Sequence, residues 1–181
     1  SMDINDVMYV HIDRKRKFPV TILLRALGYS SDEDIWRLFY GTEKRGVKSI
    51  KPGQILMEDV VDKRTGEILA EKTATIDESL IEKLVDSGIK TVEVLTYDPL
   101  EDASVIGNTL RKDPTSNEKE ALERIYCLLR PGDPPNIETA RSFFERMFFN
   151  EKRYNLGEVG RYRMNQRLDI NPQKGTQKTV L

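Results

Sequence analysis

The chain contains one cysteine, Cys127, and one histidine, His11, and these two scarcities remove whole classes of chemistry. A lone cysteine cannot close an internal disulfide, which fits a reducing compartment. Cys127 stands in an apolar helical run (Ile125, Tyr126, Leu128, Leu129) and is expected to be a buried structural thiol, not a nucleophile. With no second histidine and no cysteine pair, zinc has no ligand set. A Ser–His–Asp or Cys–His site would have only His11 as its base. The 11 glycines are scattered, with neither a G-x-x-x-x-G-K-[ST] nor a G-x-G-x-x-G run to cradle phosphates. No apolar run approaches the roughly 20 residues of a membrane-spanning helix. The acids are interleaved with turn and helix-surface positions, where solvation is their expected role in place of two-metal catalysis. The isolated chain is therefore expected to be catalytically inert, without metal or cofactor. Ser1-Met2-Asp3 begins no apolar signal core, and Ser1 before Met2 reads as a residue left by tag removal, as in an excised piece.

What the chain does have is length for one domain, or one domain with a smaller inserted unit: 181 residues, 38% hydrophobic and 33% charged. The net charge of −1 hides a segregation. Arg14-Lys15-Arg16-Lys17 is an unbroken basic run. Between Gln54 and Asp102 stand thirteen acids against five bases; between Arg141 and Arg167, seven bases stand against three acids. Such asymmetry suggests one face that meets a polyanion and another that avoids it, the plainer reading being ordinary solvated charge on helix surfaces.

Periodicity predicts an α+β chain, mainly helical, with an opening strand and an inserted unit of hairpin, helix and strand. Val7–Ile12 alternates as a strand. Pro19 suits a helix first turn, and Val20, Leu23, Leu24 and Leu27 form its stripe up to Gly28. A second helix opens at Ser30 or Ser31 and is expected to bury Ile35, Trp36, Leu38 and Phe39. Gly41–Gly53 reads as a connector. Ile55–Val61 and Glu67–Thr73 read as a hairpin turning at Gly66, followed by a helix capped by Asp77 and a strand Thr91–Leu95. This places an acidic, β-rich subdomain at 47–105, burying its own stripes, inside a domain formed by 1–46 and 106–181. The last third reads as helical: Asn117 to Glu120 as a variant capping box, a rigid turn at Arg130-Pro131-Gly132-Asp133-Pro134-Pro135, and an aromatic helix capped by Asn136. A basic stretch Leu156–Leu168, broken by Gly157 and Gly160, precedes a frayed tail.

One motif retains chemistry. In His11-Ile12-Asp13-Arg14-Lys15-Arg16-Lys17-Phe18-Pro19, a basic run at a strand end, bounded by a helix start, can present cations to phosphates. Asp13 within it can orient an arginine or accept from an exocyclic amine of an unpaired base.

Four phrases resemble the β subunit family of bacterial RNA polymerases. Ile12-Asp13-Arg14-Lys15-Arg16-Lys17-Phe18-Pro19-Val20-Thr21-Ile22-Leu23-Leu24-Arg25-Ala26-Leu27 is similar to the family's IDRRRK-x-P-x-T-x-x-LRAL. Thr109-Leu110-Arg111-Lys112-Asp113-Pro114-Thr115 is a second, and Ile125-Tyr126 with Leu129-Arg130-Pro131-Gly132-Asp133-Pro134-Pro135 a third. The fourth is Phe148-Phe149, Arg153-Tyr154-Asn155-Leu156 and Val159-Gly160-Arg161, with Asn165 following. Their order and spacing hold from Ile12 to Asn165. Gln54–Thr73 with the helix to Gly88 resembles a module carried by many β subunits, here as a shorter insertion.

The resemblance implies the lobe of the β subunit, a wall of the downstream DNA channel that also contacts the non-template strand. It stops before the segments that line the active centre, and the family's catalytic Mg2+ is held mainly by β′ aspartates. Implied partners are DNA, the α, β′ and ω subunits and the sigma factor, in the cytoplasm at the nucleoid and away from membranes. Asp13, Arg130 and Arg153 are implied neighbours of the non-template strand and are expected to share one concave patch. Arg14 is an implied phosphate neighbour, and Arg16 and Arg161 complete the expected DNA-binding set. Lys15 stands where that phrase of the family has an arginine, which removes a forked donor there. A different reading makes the chain a docking lobe whose acidic insert recruits a regulator.

Overall fold

The computed structural model describes residues 1–12, 16–98, 105–150 and 157–168, in two compact units, Ser1–Ala121 and Leu122–Leu181. Among the described residues the fold is α+β and mainly helical, with strands only in antiparallel pairs.

In the first unit, Tyr9–His11 (β1) pairs with Lys17–Pro19 (β2), register His11↔Lys17. Pro19 is thus the last residue of a strand and also the N-cap of helix Val20–Ala26 (α1), one residue ahead of its predicted helical position. Lys17, the last residue of the basic run, is consequently a strand residue, so the run is followed by a strand before the helix starts. Helix Asp32–Phe39 (α2) starts on a complete capping box: the Ser31 hydroxyl accepts from Asp34 N–H, and the Asp34 carboxylate accepts from Ser31 N–H. Those backbone and hydroxyl donors hold the Asp34 carboxyl below its ordinary pKa. Ile35 and Trp36 are buried as expected, but Leu38 and Phe39 are exposed.

The predicted connector contains a strand. Thr42–Gly46 (β3) pairs with Thr91–Leu95 (β6), from Thr42↔Leu95 to Gly46↔Thr91, and a 3₁₀ turn Val47–Ser49 follows β3. The predicted hairpin shrinks to Val60–Val61 (β4) against Ile68–Ala70 (β5). Its turn forms as read: the Asp62 side chain accepts from Arg64 N–H at 2.8 Å, and Gly66 takes φ 74°, which a β-carbon would strain. The other half of the expected strand, Ile55–Met57, bonds on both edges: Leu56 N–H donates to Ala74 O at 2.9 Å and Thr73 N–H to Leu56 O at 2.7 Å, while the opposite edge runs along β6. Leu95 N–H donates to Ile55 O at 3.0 Å, and Met57 N–H to Glu93 O at 2.9 Å.

Side-chain alternation along these strands builds two cores. Leu56, Val92 and Val94 enter one, with Val47, Ile50, Val60, Ile76 and Leu84. Ile55, Met57 and Leu95 enter the other, with Ile35 and Trp36 of α2, Tyr97, and Ile106 of helix Val105–Lys112 (α4). Helix Glu78–Asp86 (α3), capped by Asp77 as predicted, closes the first core through Leu84, while its neighbour Val85 is exposed. The 47–105 segment therefore does not bury its apolar residues only on itself. One face of it is finished by α2 and α4.

Helix Glu118–Leu129 (α5) begins in the first unit and ends in the second. At its start Glu120 N–H donates to Asn117 Oδ1, while the Glu120 carboxylate accepts from Ser116 N–H and hydroxyl, which lowers its pKa. The return bond of the predicted box thus falls on Ser116, one residue early. Cys127 is half-buried, not buried, because it lies on the flank of α5. Helix Ile137–Phe148 (α6) is capped by Asn136, whose side chain accepts from Glu138 and Thr139 N–H. Ala140 and Phe144 are buried; Phe143, Met147 and Phe148 are half-buried. Helix Glu158–Leu168 (α7) runs unbroken through Gly160, against the expected interruption. No described helix is long and apolar enough to cross a membrane.

Candidate nucleic-acid interface

Three of the six expected contact residues, Asp13, Arg14 and Arg153, lie outside the described residues, and so does the patch expected to join Asp13 to Arg130 and Arg153. At the described edges of the basic run, Ile12 N–H donates to Arg16 O at 3.2 Å. Lys17 places its ammonium 4.6 Å from the Tyr9 ring centroid, a cation–π contact across the ladder. His11 pairs through Nε2 with the Ser1 hydroxyl at 2.7 Å.

A different basic residue of the same phrase is consumed internally. Arg25 is 2% exposed. Its guanidinium donates to Asp113 Oδ2 at 3.2 Å, to Ser30 O at 2.6 Å, to Ser116 O at 3.4 Å, and to the Asp32 carboxylate. The other oxygen of Asp113 accepts from Thr115 N–H at 2.8 Å and from its hydroxyl at 2.6 Å. The side chain of Asp113 is fully enclosed. The first and second phrases quoted above thus meet in one buried ion pair, with hydrogen bonds from every guanidinium nitrogen and to both Asp113 oxygens. Nearby, Thr109 hydroxyl accepts from Met8 N–H at 3.0 Å and donates to Val105 O at 2.6 Å, fastening α4 beside the β1–β2 ladder.

In the second unit Arg130 follows the last turn of α5, its N–H donating to Tyr126 O at 2.8 Å. Pro131 then forbids continuation of the helix. The Arg130 side chain is exposed, with its guanidinium carbon 5.5 Å from the centroid of Phe143 on α6. Tyr126 meets the same ring edge-on at 5.6 Å and its hydroxyl reaches Asp133 at 3.4 Å. Together Tyr126, Arg130, Glu138, Thr139, Ser142, Phe143 and Arg146 line a groove of about 620 Å³. Arg161, on α7, is not part of that lining. Sequence periodicity assigns Phe143 to the core; the signal for its second role is its i, i+3 spacing from Arg146 on an exposed helical flank. Among the described residues no group of three or more His, Cys, Asp or Glu side chains is arranged to hold a metal.

The sequence matches the family described as RNA polymerase Rpb2, domain 2, over residues 1–72 and 87–181. The chain belongs to that family. The DNA-directed RNA polymerase subunit beta of Flavobacterium johnsoniae is 43% identical over 94% of this chain and 15% of its own length. Its counterpart in Chlorobaculum tepidum is 46% identical over 92% of the chain and 13% of its own length. That of Bacteroides fragilis is 40% identical over 93% and 15%. The chain thus spans only about one seventh of the length of these relatives. Within the Rpb2 domain 2 match, the unmatched stretch 73–86 covers the end of the hairpin region and all of α3.

Proposed function

We propose that this chain is the lobe of a bacterial RNA polymerase β subunit, forming a wall of the downstream DNA channel and contacting the non-template strand. The observation that carries the reading is the near-complete coverage of the chain by β subunits from several bacteria. The enzyme would be a DNA-directed nucleotidyltransferase using Mg2+ held by other segments, with this domain binding DNA beside the α, β′, ω and sigma partners in the cytoplasm, at the nucleoid. Arg130 is the described residue best suited to the contact: exposed, charged, and fixed by a proline turn and an aromatic ring. Arg130→Ala in the whole polymerase should shorten open-complex lifetime, by on the order of 1–3 kcal/mol for a forked contact. Asp13, Arg14, Arg16, Arg153 and Arg161 are proposed for the same strand and open to the same measurement. Unchanged lifetime in both Arg130→Ala and Arg153→Ala would overturn the reading.

For the 47–105 segment we propose an insertion that docks a protein regulator, because its thirteen acids between Gln54 and Asp102 repel DNA phosphates. Cross-linking from Glu78 or Glu82, exposed on α3, to a protein partner in cell extracts should then exceed cross-linking to DNA. The opposite preference would remove the proposal.

A further inference from the structure

The groove beside α6 holds a second cation that no phrase of the family resemblance includes. Arg146 places its guanidinium carbon 6.0 Å from the same Phe143 centroid that Arg130 approaches at 5.5 Å. We propose that Arg130 and Arg146, organised on the Phe143 ring, form a two-guanidinium site for a backbone phosphodiester of single-stranded DNA. The Thr139 and Ser142 hydroxyls on the lining serve as neutral donors beside it. This rests on the DNA-contact reading above and adds to it a residue, a ring and a ligand chemistry.

Two like charges drawn to one ring repel each other, and among the described residues neither has a carboxylate within ion-pair distance. An anion shared between them relieves that repulsion, and a phosphodiester offers two oxygens to two forked donors. The ring holds each guanidinium in place, which reduces the rotamer freedom lost on binding. Base stacking is the less suited use, since cations and the edge of Tyr126 already crowd Phe143. Glu138, on the same lining, is the one described carboxylate there and opposes the anion.

The test uses polymerase holoenzyme carrying full-length β subunit variants and measures promoter open-complex dissociation against salt, on two promoters differing in non-template sequence. Arg146→Ala should shorten the lifetime several-fold on both, as Arg130→Ala does, and lower the salt slope by about 0.7–0.9. Arg146→Lys should restore the slope but only part of the lifetime. Phe143→Leu should shorten the lifetime with the slope unchanged, and Glu138→Gln should lengthen it. If Arg130→Ala acts while Arg146→Ala and Phe143→Leu do not, the two-guanidinium site is refuted and the DNA-contact reading stands. If no variant acts, the site is refuted, and if Arg153→Ala is silent too, the DNA-contact reading falls with it. If Arg146→Ala instead weakens binding of polyglutamate and leaves open complexes untouched, the groove is an acidic-peptide site and the proposal is overturned.

Discussion

Arg25 and Arg130 both come from stretches of family-like sequence, yet their surroundings are opposites. Arg25 is enclosed by two carboxylates and two carbonyls at the junction of α1, α2 and the end of α4. Arg130 is exposed beside a ring and the mouth of a groove. A buried guanidinium stripped of water must spend its donors on the protein, whereas an exposed one retains them for a ligand. The lesson is that an arginine in a recognisable motif marks a constraint without saying which kind. Burial and partner count separate the two kinds.

The strongest way to break the contrast is to remove Arg25. Arg25→Ala leaves Asp113 enclosed without its cation, and the chain should lose about 3–5 kcal/mol in urea unfolding. A loss below about 1 kcal/mol would mean the junction relaxes and the buried pair is not holding it. Trp36→Ala should cost a similar amount, about 3–5 kcal/mol, because the second core is built around it from α2, the Ile55–Met57 segment and β6. For the same reason excision of 47–105 should abolish cooperative unfolding, since β3 loses β6 and Trp36 loses Ile55, Met57, Leu95 and Tyr97. Arg130→Ala should leave the unfolding midpoint unchanged, which is the other half of the contrast. Smaller again is Ser31→Ala, about 1 kcal/mol, from loss of the α2 cap.

The smallest effect concerns pH. Lys72 reaches Glu33 at 2.8 Å and Arg37 reaches it at 3.0 Å, tying α2 to the hairpin region. The hydrogen bond from Lys72, then that from Arg37, holds the Glu33 carboxyl below the usual carboxylate range. A depressed folded-state pKa contributes stability that is present above the unfolded value and is lost as pH falls through the folded one. Glu33→Gln should therefore flatten the acid side of the stability profile, by less than about 1 kcal/mol for so accessible a pair. Above neutral pH the profile should sit lower by that amount with its slope unchanged.

Local signals were legible and long-range ones were not. Ser31, Asp77 and Asn136 announce their helices because a cap acts within three residues, and the Asp62–Gly66 turn follows from the same locality. The strand Thr42–Gly46 is invisible because Glu43, Lys44 and Arg45 give no apolar alternation, and its partner lies some fifty positions away. Ile55–Met57 reads as one arm of a hairpin and does bond to Thr73–Thr75, but its other edge serves β6, a long-range pairing with no local mark. At the candidate site Arg130 was legible through its motif. Arg146 was not, since one arginine on a charged helical flank has no local mark until Phe143 is seen beneath it.

The pairing of β3 with β6 also sets an order of events during synthesis. Residues 42–46 leave the ribosome well before residues 91–95 exist to pair with them. At roughly 5–20 residues per second that interval is on the order of a few seconds. Until it ends, Trp36 and Ile35 have no Leu95 or Tyr97 to cover them, so the nascent chain displays an aromatic, strand-edged surface. The window closes only when Leu95 emerges, which makes this part of the chain a natural client for a holding chaperone.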